Sequence, residues 1–277
     1  MYQPPAGNRK PPRSMITAGI LIAILAVVTI VAAFTVMQLP DPVTDQGKDI
    51  DLLYQPVLAI SLIVFFGVTA AIIYALFRFR RTGPEIPEQV HGNNKLEFTW
   101  TAIPILILVG LFIPSFILVL DLKTPPADDE VDITVEAVGH QWWWEFIYPD
   151  DGVRVQVTPP NYDDLTPPTM VVPVGKTVRV IVRSTDVIHS FYFPHSLYKL
   201  QAVPGNLNEM HFRISPENVG TYSGQCYQFC GTRHADMLFI VDAVSEADYE
   251  RWLSEAQAAQ GVIPAASEAV SAPGGGN

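Results

Sequence analysis

The chain has 277 residues, a formal net charge of −11, 49% hydrophobic residues and only 16% charged residues. This composition is too apolar for a purely soluble protein, and the excess lies in three charge-free runs at residues 15–39, 54–77 and 98–120. At about 1.5 Å per residue, each run is long enough as a helix to cross a hydrocarbon core of about 30 Å. The sequence therefore predicts a membrane protein with N-terminal transmembrane helices.

Basic residues mark the inner side of the membrane, because positive charge sets the orientation of transmembrane helices. They precede the first run and follow the second: Arg9, Lys10, Arg13, Arg78, Arg80 and Arg81. Everything after residue 120 is then predicted to lie outside. We predict a retained first helix, because its apolar stretch exceeds the roughly 7–15 residues typical of a signal peptide; a cleaved signal is the alternative. The predicted domains begin with a helix and linker (1–53) and a transmembrane hairpin (54–122).

Beyond residue 120, short runs rich in valine and isoleucine are bounded by proline, glycine and aspartate. They lie at residues 131–138, 153–157, 176–182 and 238–241. Such spacing predicts an antiparallel β-sandwich of about 110–120 residues, assigned to 123–244. Residues 245–277 are predicted to form a helix, begun by Ser245 as N-cap, and a disordered tail. The fold class is thus α + β, with transmembrane helices followed by an extracytoplasmic sandwich.

Both cysteines of the chain lie in one short stretch with a histidine and a methionine: Cys226, Cys230, His234 and Met237. Thiolate and thioether are soft ligands, and this set selects copper over hard cations. Two thiolates can bridge a pair of copper ions, each of which then needs one imidazole and one weak axial donor. The second histidine is expected elsewhere, and His189 in Asp-Val-Ile-His-Ser-Phe is the best candidate. A disulfide between the two cysteines is the alternative in an oxidising compartment.

Together with Gly-His-Gln-Trp-Trp-Trp at 139–144, these motifs closely resemble subunit II of the haem-copper cytochrome c oxidases, over residues 52–252. The resemblance implies a cupredoxin-like outer domain with a binuclear CuA centre. It implies an oxidoreductase subunit that accepts electrons from cytochrome c and passes them to haem in subunit I, where oxygen is reduced and protons are translocated. The chain has no C-x-x-C-H motif, so a separate cytochrome c or another c-type haem protein is the expected donor.

The resemblance also implies the setting of the chain and its ligands. It places the chain in a bacterial inner membrane with the copper domain on the periplasmic side, among subunit I and other oxidase subunits; no nucleic-acid partner is expected. Cys226 and Cys230 would bridge both coppers, and the backbone carbonyl of Gln228 would add a weak bond. The remaining ligands would be His189, His234 and Met237. The family often has glutamate at position 228, which helps to hold magnesium. A neutral amide is a poorer ligand for a hard dication, which weakens the expectation of magnesium here.

Further roles follow from the same resemblance. Trp142 would be the point at which electrons enter, and Glu97 would begin a proton path into subunit I. The donor would dock on acidic residues: Glu145, Asp150, Asp151 and Asp186. Simpler interpretations remain open, because tryptophans can fill a core, acidic residues can form an ordinary solvated surface, and Glu97 can be merely interfacial.

Two other functions fit many of the same residues. The CuA subunit of a nitric oxide reductase would look similar at the copper ligands. A membrane-bound copper delivery protein would also carry soft ligands, but it would release copper readily to chelators.

Overall fold

A computed structural model of the chain describes residues 39–79, 91–156 and 166–261, together with six single positions between residues 24 and 35. Most of the first apolar run and the tail after residue 261 lie outside the described residues, so the predictions of a retained helix and of a disordered tail stay predictions. The chain divides into two compact units. One consists of Met1–Leu39 and Tyr54–Ile105, and the other of Pro40–Leu53 and Leu106–Asn277.

Two long apolar helices, α1 (Asp45–Arg78) and α2 (Asn94–Lys123), contain the second and third predicted runs. Both are long and apolar enough to cross a membrane, as the sequence predicts. No residue of α2 is buried, so its apolar side chains can face lipid. Pro104 and Pro114 lie inside α2 without ending it, which membrane helices tolerate.

The helix α1 begins nine residues earlier than the apolar run that predicted it, since it starts at position 45 rather than 54. Thr44 explains this start, because its side-chain oxygen accepts a hydrogen bond from the backbone of Gly47 at 3.0 Å. The preceding residue, Val43, is buried and bonds through its backbone to His195 and Ser215. These backbone hydrogen bonds hold the segment Pro40–Leu53 against the rest of the second unit.

In the described residues of the second unit, the strands form two five-stranded sheets. One has the strand order β3-β2-β1-β5-β8 and the other β4-β10-β9-β6-β7. The ten strands are β1 Ile133–His140, β2 Trp143–Tyr148, β3 Val153–Gln156, β4 Thr169–Pro173, β5 Thr177–Ser184, β6 His189–Tyr192, β7 Leu200–Ala202, β8 Asn208–Arg213, β9 Gly220–Cys226 and β10 Leu238–Val244. The sandwich is confirmed, but its prediction as purely antiparallel is wrong: β1 pairs in parallel with β5, and β4 with β10. Between β1 and β5 the chain forms β4 of the other sheet, and between β4 and β10 it forms five further strands. Neither parallel pair is therefore a hairpin.

The core of the sandwich reflects the alternation of side chains along each strand. On β5, Val178, Val180 and Val182 are fully buried while the residues between them are partly exposed. Aromatic rings fill the end of the core nearest to β6, where Phe191 stacks on Phe239 with ring centroids 4.6 Å apart. These rings give the start of β6 a closely packed support.

A third helix, α3 (Glu246–Gln260), closes the described chain. Ser245 caps it by accepting a hydrogen bond from the backbone of Asp248, and Gly261 ends it in the left-handed conformation at φ 69°. Trp252 packs against Tyr148 of β2, with ring centroids 5.1 Å apart. The predicted helix and its N-cap are confirmed.

Candidate metal centre

Strand pairing brings together the two halves of the predicted site, the segment with His189 and the loop with both cysteines. Strand β9 ends at Cys226, which lies opposite Phe191 of β6, two residues after His189. The loop from 227 to 237 then leaves the sheet and returns, and its base is closed by the backbone of Cys226, which donates to the carbonyl of Met237 at 2.9 Å. One end of the sandwich thus holds all the predicted ligands.

The ligand atoms converge on a small volume. The sulfur atoms of Cys226 and Cys230 are 3.8 Å apart. The Nδ1 atom of His189 lies 3.9 Å from the sulfur of Cys226, and the Nδ1 atom of His234 lies 3.6 Å from that of Cys230. The thioether of Met237 lies 3.9 Å from the sulfur of Cys230.

The chemistry of this donor set fits a soft metal ion. Metal–sulfur and metal–nitrogen bonds are about 2.0–2.3 Å long, so donors 3.6–3.9 Å apart can share one ion. Both cysteines are free, and their sulfur atoms are far beyond the roughly 2.05 Å of a disulfide. His189 and Met237 are fully buried, so the site is shielded from water on that side. The carbonyl oxygen of Gln228 lies 3.2 Å from the sulfur of Cys226, while its side chain is exposed.

The two thiols differ in their acidity. Burial raises the pKa of Cys226, but hydrogen bonds from His189 and the neighbouring backbone outweigh it and lower the value to about 7. Burial and the charge of Cys226 raise the pKa of Cys230 to about 12. One thiolate therefore forms near neutral pH, whereas the second needs a cation to displace its proton.

His189 is held on both sides. Burial lowers the pKa of its imidazole, but hydrogen bonds with Cys226 and Asp186 outweigh this and raise it. Its Nε2 atom lies 2.8 Å from the Asp186 carboxylate. Gly139 lies next to the imidazole ring of His189, and a Cβ atom at this position would lie only 2.8 Å from Cδ2 of the ring. The glycine of the Gly-His-Gln-Trp motif is therefore required for space.

The three tryptophans occupy three different environments. Trp142 donates its indole N–H to the carbonyl of Cys230 at 3.1 Å, and its ring leaves no room for a Cβ at Gly231. Trp143 stacks on His140, with ring centroids 4.0 Å apart. Trp144 is fully buried in the core. Of the three, Trp142 is the one with a hydrogen bond to a predicted ligand residue.

The predicted docking residues differ in their exposure. Glu145 is only 4% exposed and pairs with Arg154 at 2.6 Å and with His140 at 3.3 Å. This placement argues against a docking role, because its charge is neutralised inside the fold. Asp150 is exposed and Asp151 half-buried, both in the turn after β2.

Glu97 lies in the first turn of α2, where its carboxylate accepts a hydrogen bond from the backbone of Asn93 at 2.9 Å. The side chain of Asn93 in turn accepts from the backbone of Leu96, so the two residues cap the helix reciprocally. Sequence reasoning missed Gln141 at the candidate centre, whose side chain donates to the carbonyl of Cys230 at 2.8 Å. Its position beside Trp142 in the motif was the available signal.

Comparison with known proteins gives two family matches. The model described as "Cytochrome C oxidase subunit II, periplasmic domain" matches residues 133–244, and "Cytochrome C oxidase subunit II, transmembrane domain" matches residues 32–118. The chain is 34% identical to cytochrome c oxidase subunit 2 of Cereibacter sphaeroides, covering 78% of this chain and 80% of that protein. It is 32% identical to a probable cytochrome c oxidase subunit 2 of Rickettsia bellii, covering 71% and 75%. The solved periplasmic domain of subunit II of the Bradyrhizobium japonicum cytochrome oxidase aligns with a TM-score of 0.42 and 34% identity, covering 49% of this chain and 99% of that one.

Proposed function

The chain belongs to the cytochrome c oxidase subunit II family, and we propose that its outer domain holds two copper ions bridged by both cysteine sulfurs. The observation that carries this proposal is the buried pair of free thiols, 3.8 Å apart, with an imidazole nitrogen beside each sulfur. When bound, the copper pair would supply a site that takes up and releases one electron at a time. The proposed ligands are His189, Cys226, the carbonyl of Gln228, Cys230, His234 and Met237.

The protein's contribution is to hold these donors still. A one-electron centre benefits from ligands that barely move on oxidation, and sites on rigid elements keep their geometry best. His189 begins a paired strand and Cys226 ends one, while the packed rings of Phe191 and Phe239 support both. Trp142, hydrogen-bonded to the carbonyl of Cys230, is the proposed point at which electrons enter from the donor.

As a subunit of a cytochrome c oxidase, the chain needs a partner that reduces oxygen. Neither α1 nor α2 contains a histidine, so the helices offer no histidine ligand for haem inside the membrane. We propose that subunit I binds the haem and that cytochrome c, or another c-type haem protein, is the donor. The proposed location is a bacterial inner membrane, with the copper domain in the periplasm.

Of the predicted docking residues, we propose that Asp150 and Asp151 attract the donor, because Glu145 is buried and paired with Arg154. Asp150 and Asp151 follow β2, whose six residues separate this turn from Trp143 by about 17 Å at 3.4 Å per residue. Such charges can attract a basic donor at low salt. At 0.1 M salt, counterions screen this attraction over roughly 10 Å, so it acts only at short range. We therefore expect electron transfer from the donor to slow as ionic strength rises.

Gas consumption by the assembled complex tests the proposal against its rivals. With reduced cytochrome c as donor, the complex that contains this chain should consume oxygen with concomitant oxidation of the donor. Consumption of nitric oxide without oxygen would assign the chain to a nitric oxide reductase instead. Rapid loss of copper to a chelator, with no donor oxidation, would identify a copper delivery protein. At present no observation favours either alternative.

Glu97→Gln should slow turnover by about tenfold, equivalent to about 1.4 kcal/mol on a proton-coupled step. The amide keeps the size of the side chain, and its oxygen can still accept the hydrogen bond from the backbone N–H of Asn93. It cannot ionise. Copper loading and the first electron transfer should be unchanged in rapid-mixing measurements. Asn93→Ala is the matched control, because it weakens the cap while leaving the acid. If the two variants slow turnover to the same extent, the only role of Glu97 is to cap the helix.

Gln228→Glu should raise the affinity of the assembled complex for a divalent ion, because a carboxylate replaces a neutral amide as an oxygen donor. Both coppers should stay, since the backbone carbonyl is unchanged. A manganese EPR titration measures the affinity, and Gln225→Glu, an exposed change just before Cys226, is the control. Equally tight manganese binding by the unaltered protein would mean that other ligands dominate.

A further inference from the structure

The carboxylate of Asp186 forms hydrogen bonds with two parts of the candidate metal centre, His189 and the backbone of Gln141. One oxygen, Oδ1, accepts from Nε2 of His189 at 2.8 Å and from the backbone of Val187 at 2.6 Å. The other, Oδ2, accepts from the backbone N–H of Gln141 at 2.6 Å. The side chain is 30% exposed, and both of its oxygens are engaged inside the protein.

The contact with His189 fixes the state of that imidazole. A carboxylate only accepts hydrogen bonds, so the proton of the neutral ring lies on Nε2 and the lone pair lies on Nδ1. It is Nδ1 that lies 3.9 Å from the sulfur of Cys226. The carboxylate therefore selects the tautomer, and the ring orientation, that can bind a metal beside the thiolate.

The contact with Gln141 reaches the other half of the centre. The side chain of Gln141 donates to the carbonyl of Cys230 at 2.8 Å, and Trp142 donates to the same carbonyl at 3.1 Å. Holding the backbone of Gln141 thus places both donors against Cys230. One carboxylate connects the ligand His189 with the residues that fix Trp142 beside Cys230.

We propose that Asp186 is a positioning residue for electron transfer, which orients His189 toward the metal and holds Trp142 in register with Cys230, rather than a surface charge for docking. This inference rests on the proposed function, because it assigns Asp186 a role toward the copper pair. It differs from docking in a testable way, since positioning acts on the centre when no donor is present.

Asp186→Asn in the full chain tests this directly. The amide keeps the size of the side chain, but it lacks the charge and replaces one acceptor oxygen by a donor. Because the carboxylate makes the imidazole a stronger electron donor, its loss should shift the reduction potential of the copper site to a more positive value. Copper affinity should fall by about 10- to 100-fold, as for other partners of metal-binding histidines. The control Asp129→Asn, an exposed change before β1, should change neither the reduction potential nor the copper affinity.

The possible outcomes separate the proposals. An unchanged potential and copper EPR spectrum, with weaker donor binding at low salt, would overturn the positioning role and leave a docking charge. Absence of a two-copper spectrum in the unaltered chain would instead refute the proposed function. If Asp186→Asn does not fold, NMR of the unaltered, ¹⁵N-histidine-labelled, copper-free chain decides, at a pH where His189 is neutral. The neutral ring should carry its proton on Nε2, and a neutral ring protonated on Nδ1 instead would contradict the inference.

Discussion

Replacing Cys226 by serine is expected to abolish the sharing of one electron between two coppers and to reduce oxidation of the donor to background. Each sulfur is proposed to bridge both ions, and the hard hydroxyl oxygen of serine is a poor substitute for a soft thiolate. The sulfur of Cys226 lies beside both Cys230 and His189, so its loss removes the connection between the two halves of the site. Copper EPR of the full chain, together with donor oxidation by the complex, measures both effects.

Met237→Leu is the graded control for this experiment. Its thioether lies 3.9 Å from the sulfur of Cys230 and is proposed as a weak axial donor only. Leucine fills a similar buried volume, so the pair of coppers should remain, with an altered reduction potential. A Cys226→Ser protein that still shares its unpaired electron equally between two nuclei would exclude the bridging role.

Trp142→Leu should slow electron transfer from reduced cytochrome c by more than about tenfold, a barrier increase above about 1.4 kcal/mol. The ring is the aromatic group hydrogen-bonded to the carbonyl of Cys230, and leucine supplies neither the ring nor the donor. The copper EPR spectrum should change little, because Trp142 is not a ligand. Stopped-flow mixing of reduced donor with the oxidised complex gives the rate.

Trp143→Leu is the matched control, since it removes a neighbouring indole that stacks on His140 instead of reaching Cys230. It should leave the rate of electron transfer near that of the unaltered protein. If the Trp143 variant is the slower of the two, electrons enter through the other ring and the assignment of Trp142 is wrong.

Local patterns in the sequence predict a large part of this fold. Valine-rich runs predict β1, β3, β5 and β10, because alternating β-branched residues suit a half-buried strand. The short strands β6 and β7 carry no such pattern, and pairing with neighbours defines them. The parallel pairs arise from the long connections between partners, which strand periodicity alone does not encode.

The candidate site likewise has features that the sequence predicts and features that it does not. The soft ligands stand out by residue type and spacing, and the described structure brings them together. The surroundings of Glu145 and Asp186 could not be predicted, because an acidic residue looks the same in sequence whether it faces solvent, pairs with Arg154 or holds His189. The pairing of β2 with β3 brings Arg154 to Glu145, and the short connection between β5 and β6 brings Asp186 to His189.

The copper content and EPR spectrum of the unaltered full chain, purified in detergent and loaded with copper, test the central claim most directly. The account predicts two coppers per chain and, in the form that holds one unpaired electron, a hyperfine pattern from equal sharing between two copper nuclei. One copper per chain, or the spectrum of an electron confined to a single copper ion, would contradict it.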